Sequence, residues 1–123
     1  MTKPIQSILI QNSHVKLNGS LWFESKNGHF FGPGPVELLE RIGETGSISA
    51  AAKEMKMSYK KAWQLINRLN SETTIPVVIP QAGGEMGGGS IITKEAMELI
   101  KYHKQLRKRF TAFLNKETKR LES

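Results

Sequence analysis

The sequence predicts an α+β fold that is mainly α. Three observations predict it. Apolar residues recur at the three-and-four spacing of a helix in four stretches, near 36–42, 48–55, 62–69 and 96–113. Two other regions hold short apolar segments around turn residues, the pattern of β-hairpins. Glycine and proline clusters punctuate the chain between these elements. The 123 residues fit one domain with a real core, and 38% hydrophobic with 24% charged residues is a globular composition.

Residues 1–14 read as a flexible N-terminal arm, and 15–123 as a single domain. Over 15–25 the residues alternate, with Val15, Leu17, Leu21 and Phe23 on one face and Lys16, Ser20 and Glu24 on the other, which predicts a half-buried strand. Lys26-Asn27-Gly28 is hairpin-turn chemistry, and His29-Phe30-Phe31 is the return strand. GPGP at 32–35 breaks the chain, and Pro35 suits the first position of a helix that ends between Gly43 and Gly46. A second helix starts at Ser47 or Ser49, either of which can cap it, and carries Ile48, Ala51, Ala52 and Met55. Lys56-Met57 is a tight connection. Ser58 caps a third helix that reaches about Glu72. Val77, Val78 and Ile79 form a short strand, and Ile91 and Ile92 another, around a glycine-rich tip at Gly83, Gly84, Gly87, Gly88 and Gly89. From Lys94 to about Leu121 runs one long helix, opened by Thr93. The order β-β-α-α-α-β-β-α, with three helices followed by a two-stranded ribbon, is that of a winged helix-turn-helix.

The third helix carries the functional signal. At about 100° per residue, Ser58, Ala62, Leu65, Ile66 and Leu69 fall on one arc. Lys60, Lys61, Gln64, Asn67, Arg68 and Ser71 fall on the other, with no acid before Glu72. A major groove admits one helix, and its base edges are read by such side chains: Arg or Lys on guanine, Gln or Asn on adenine. Ser58 and Tyr59 stand at the helix N-terminus, where hydroxyls and backbone N–H groups can hold a phosphate. Small residues at Ala50, Ala51 and Ala52 let two helices cross closely. Tyr59 and Trp63 lie on the boundary between the arcs, where packing is the better account of Trp63 than base contact. The formal net charge of +7 suits a polyanionic partner, although an ordinary solvated helix face has the same composition.

Other chemistries find little support. Without cysteine there are no disulfides, thiolate metal sites or cysteine nucleophiles. His14, His29 and His103 are scattered, aspartate is absent, and no metal-ligand spacing occurs. No cofactor, metal or enzymatic activity is expected. The glycine cluster lacks the Lys-Ser/Thr of a nucleotide loop and leads into a strand. It reads as a wing tip able to lie close on a surface, or as a plain flexible hairpin tip. No apolar run approaches the 18–20 residues of a membrane helix, and the N-terminal apolar patch is too short for a signal-peptide core. These features predict a cytoplasmic protein.

The stretch GSISAAAKEMKMSYKKAWQLINRLN (46–70) resembles the helix-turn-helix of LysR-type regulators. It resembles still more closely the N-terminal domain of the ModE-type molybdate-responsive repressors. The marks are Gly46-Ser47-Ile48-Ser49, Ala52-Lys53, Ser58-Tyr59-Lys60 and Ala62-Trp63, followed by the glycine wing and Thr93. The similarity covers about residues 15–115. It implies a homodimer, joined largely through the terminal helices, on a palindromic operator in double-stranded DNA. Ser47, Ser58, Tyr59, Lys60, Lys61 and Gln64 would face the DNA, with the wing on backbone or minor groove. Ser49, Asn67 and Arg68 complete the candidate DNA-binding set. ModE-type sensors carry C-terminal oxyanion-binding domains. With the chain ending at Ser123, these are expected to be absent, and molybdate sensing does not carry over.

In the long helix, Leu99, His103, Leu106, Phe110 and Phe113 form a candidate dimerisation seam. Packing on the chain's own core would give the same stripe, and Met97, Ile100 and Leu114 widen it. Phe110 and Phe113, far from the winged core, favour the dimer. Between Lys101 and Arg120 the helix also holds 8 of the 18 basic residues, either as phosphate contacts or as a solvated face. The leading function is a sequence-specific transcriptional regulator. The alternatives are an accessory or architectural DNA binder with little sequence preference, and a winged-helix module for protein interaction.

Overall fold

The computed structural model describes residues 4–81 and 89–122. The elements in chain order are α1 (Ile5–Ile8), β1 (Phe23–Ser25), β2 (Gly28–Phe31), α2 (Pro33–Thr45), α3 (Ile48–Glu54), α4 (Tyr59–Asn70), β3 (Val78–Gln81), β4 (Gly89–Ile92) and α5 (Lys94–Leu121). This is an α+β winged helix-turn-helix with an N-terminal hairpin and a long terminal helix.

The helix boundaries follow local chemistry. Ser47, Ser58 and Thr93 cap α3, α4 and α5, their side-chain oxygens accepting from the backbone N–H of Ala50, Lys61 and Ala96. Of the two serines that could cap α3, it is therefore Ser47 that does so. Helix α2 ends at Gly46 in the left-handed region (φ 70°). It begins at Pro33, two residues before the expected Pro35, because Gly32 supplies the first carbonyl, accepting from Val36 N–H at 2.9 Å. Helix α4 stops at Asn70, short of Glu72, and the Asn70 side chain accepts from Val77 N–H at 2.8 Å on the way into β3.

Phe31, Leu38, Leu39, Ile42, Ile66, Leu69 and Val77 are the largest fully buried side chains, so the core lies between α2, α4, the end of the first ribbon and the start of the second. Burying side chains of this size contributes about 1.5–3 kcal/mol each. Ala51, Ala52 and Ala62 are also buried, which is what lets α3 and α4 cross closely. The two ribbons are separate antiparallel pairs. In the first, a bulge after Phe23 brings Phe23 opposite Phe31 and Glu24 opposite His29. In the second, β4 is fastened to the turn after α2, where Ser90 N–H donates to Gly46 O at 2.9 Å.

The strand expected over 15–25 is a strand only at Phe23–Ser25. Residues 15–22 run as a strap along α5 instead. The strap's backbone finds side chains of α5 in place of a neighbouring strand. Leu17 N–H donates to Thr118 Oγ1 at 3.0 Å, Arg107 donates to Gly19 O, and His103 Nε2–H donates to Leu21 O at 3.0 Å. The alternation of exposed and half-buried residues persists from Leu17 to Ser25, so the sequence pattern was real although its partner is a helix. Residues 4–14, expected as a loose arm, contain the single-turn α1, and Gln6 Nε2 donates to Arg120 O at 2.6 Å.

Candidate nucleic-acid interface

The connection from α3 to α4 sets the crossing. Lys56 stands in the left-handed region (φ 55°), Lys56 N–H donates to Lys53 O at 3.1 Å and Met57 N–H to Ala52 O at 3.0 Å. These two bonds form a Schellman turn, with half-buried Met57 as its apolar contact on the core. Ser58 follows at once and starts α4.

Three sectors of α4 have different surroundings. Ala62, Ile66 and Leu69 are buried. Tyr59 and Trp63, one turn apart, stack edge to face with centroids 6.3 Å apart, and both keep substantial exposure. Between them and the opposite flank, Lys60, Lys61, Gln64 and Asn67 are exposed. No side-chain hydrogen bond or ion pair engages these four among the described residues. Their donors and acceptors are free for a ligand, and two of the four are cations.

Arg68 belongs elsewhere. Its guanidinium bonds Glu72 Oε1 at 2.9 Å and Gly28 O at 2.8 Å and sits 5.6 Å from the centre of the Phe30 ring. Glu72 in turn accepts from Ser25 Oγ at 2.6 Å and Asn27 Nδ2 at 3.3 Å. The Ser25 hydroxyl, followed by the Arg68 guanidinium, holds the Glu72 carboxyl below the usual glutamate range. Arg68 thus clamps the N-terminal hairpin to α4. Sequence reasoning placed it on the outer arc and missed the clamp. The available signal was Glu72 four residues on, the spacing of a helical ion pair.

The remaining candidates sort as follows. Ser47 is half-buried and engaged as a cap, whereas Ser49 is exposed in the first turn of α3. Gly83, Gly84, Gly87 and Gly88 lie outside the described residues. Gly89 lies in β4, where an added Cβ would come within 2.7 Å of Gly46 O. On α5, Leu99 is half-buried against the core, and His103 is buried between the strap and the Phe31 ring, 5.7 Å centre to centre. Phe110 underlies Gly19. Leu106 is half-buried and Phe113 is 57% exposed. The strap therefore covers part of the expected seam and leaves its Phe113 end open. No group of three or more metal-ligating side chains is placed to hold an ion among the described residues, and no described helix is long and apolar enough to cross a membrane.

An exposed outer face on α4, a close crossing with α3 and a ribbon fastened to the turn between α2 and α3 define a winged helix-turn-helix domain. Residues 35–86 match the family model described as bacterial regulatory helix-turn-helix protein, lysR family. The molybdenum-pterin-binding protein MopB of Rhodobacter capsulatus is 44% identical over 75 residues, covering 61% of this chain and 28% of that protein. The molybdenum transport protein ModE of Azotobacter vinelandii is 35% identical over 86 residues, 70% of this chain and 32% of that one. The DNA-binding transcriptional dual regulator ModE of Escherichia coli is 38% identical over 74 residues, 60% and 28%. Over this region the chain is similar to LysR-type helix-turn-helix proteins and to ModE-like relatives. It spans about a third of the length of these relatives.

Proposed function

We propose that this chain is a transcriptional regulator that binds double-stranded DNA sequence-specifically as a homodimer. The carrying observation is the free outer sector of α4, where Lys60, Gln64 and Asn67 project unpaired among the described residues from a helix capped at Ser58. Those side chains match the donor and acceptor pattern of major-groove base edges, and Lys61 and Tyr59 are placed for phosphate. Regulator names among the relatives support the same reading. The chain works as a binding protein in the cytoplasm, and no catalytic step is assigned to it.

The dimer is proposed to form through α5. Tyr102 and Phe113 are 54% and 57% exposed, and Leu106 lies half-buried between them on the same side of the helix. This seam is rotated from the expected one because the strap occupies His103 and Phe110. A dimer on one face of DNA should set its two recognition helices about 34 Å apart, one turn of the duplex. In-vitro selection from a random duplex pool tests the proposal. Enrichment of an inverted repeat supports both specificity and two-fold symmetry. Binding without enrichment would favour an architectural protein, and no binding at low salt a protein-interaction module.

A further inference from the structure

The recognition helix is bracketed by two ribbons, only one of which is the wing. On a wheel of about 100° per residue, Arg68 and Asn70 stand some 160° apart on either side of the sector that holds Lys60, Gln64 and Asn67. Asn70 ties its flank to the start of the wing through Val77. Arg68 ties the opposite flank to the turn of the N-terminal hairpin through Gly28 O and, with Glu72, through Ser25 and Asn27. We infer that the β1–β2 hairpin is a second DNA-contacting element, which sets Lys26 against a phosphate on the opposite side of the groove from the wing.

Three features support this beyond position. The clamp holds the turn to the last turn of α4 through charged hydrogen bonds, so Lys26 stands on a fixed mount. The same clamp pairs Glu72, which would otherwise present an unneutralised carboxylate to the DNA at the end of the recognition helix. Lys26 itself is exposed, with no ion-pair partner among the described residues. On this flank Lys61, two turns before Arg68, supplies a second free cation, while Glu72 is held by Arg68 and the hairpin's own acid, Glu24, is bonded to His29 at 2.6 Å. A phosphate backbone is the partner that fits two free cations, Lys26 and Lys61, beside a groove-reading helix.

The inference rests on the proposed DNA binding, and the test separates the two. The probes are a duplex selected from a random pool by the full chain and a random-sequence duplex of equal length, titrated between 0.05 and about 0.5 M salt. Loss of one phosphate contact reduces the slope of log K against log salt by about 0.9. Lys26→Gln should therefore bind both duplexes about eight-fold more weakly at 0.1 M than at an extrapolated 1 M, relative to the parent, with the preference between duplexes unchanged. Hydroxyl-radical footprints should lose protection at a backbone position outside the central groove. If the parent binds and Lys26→Gln keeps its affinity, slope and footprint, the hairpin contact is wrong while DNA binding stands. If the parent binds neither duplex at low salt, DNA binding itself fails and takes the hairpin contact with it.

Discussion

Replacing Gly89 by alanine tests whether the wing is fastened to the helix-turn-helix through the first residue of β4. A Cβ there would stand 2.7 Å from the carbonyl oxygen of Gly46. That oxygen is backbone, it already accepts Ser90 N–H at 2.9 Å, and it belongs to the left-handed residue that closes α2. Neither side can yield by rotating a side chain, so β4 must retreat. The lost hydrogen bond costs about 1 kcal/mol. Forcing an extra methyl into a packed contact costs about 1–3 kcal/mol more. The sum, about 2–4 kcal/mol, should lower the urea midpoint by roughly 1–2 M for a chain of this size. Gly43→Ala is the control. Its Cβ would meet only the Ile92 side chain, at 3.1 Å from Cδ1 and 3.5 Å from Cγ1. Alanine inside a helix gains about 0.5–1 kcal/mol over glycine, so this variant should be neutral or more stable. Equilibrium urea unfolding followed by circular dichroism reads both. A Gly89→Ala protein that melts within about 0.5 M of the parent would show that the close approach does not exist, and the tight seating of β4 on the α2–α3 turn would go with it.

Lys60→Ala or Gln64→Ala should weaken the selected duplex by about 1–3 kcal/mol while changing random-sequence binding less. Equal losses on both duplexes, by fluorescence anisotropy, would remove these residues from base readout. Ser58→Ala should destabilise the chain by about 1 kcal/mol through loss of the α4 cap, which thermal unfolding would detect. Phe113→Glu should convert a dimer to monomer in sedimentation without altering the helical signal, whereas His103→Ala should lower the melting temperature because it empties a buried site. A persistent Phe113→Glu dimer would place the interface elsewhere. The Glu72 carboxyl titrates below its unfolded value, so the stability it contributes is present above the ordinary glutamate pKa, about 4.3, and is lost as pH falls through the depressed folded value. Glu72→Gln should flatten stability against pH in that acidic window alone, and an unchanged acid limb would count against the clamp.

Helices α2 to α5 were legible in the sequence, with their ends to within about two residues. Ser47, Ser58, Thr93 and Gly46 act on groups within four residues of themselves, and apolar spacing of 3.6 residues marks a buried helix face wherever it lies in a fold. For the same reason the free sector of α4 could be drawn on a wheel before any tertiary contact was known. Contacts between distant residues could not be drawn that way. Arg68 looked like a reader of DNA because its partners at Ser25 and Gly28 are some forty residues away in the chain. The alternation over 17–25 records one covered face but does not say whether a strand or a helix covers it. The strap found α5, and by covering His103 and Phe110 it decided which side of that helix remains open for a second copy. What the sequence determined by itself is therefore set by short-range geometry, namely the winged order and the recognition helix. What only the tertiary structure decided is which exposed-looking side chains are already engaged, because that depends on polar groups brought together across 40 to 100 residues of chain.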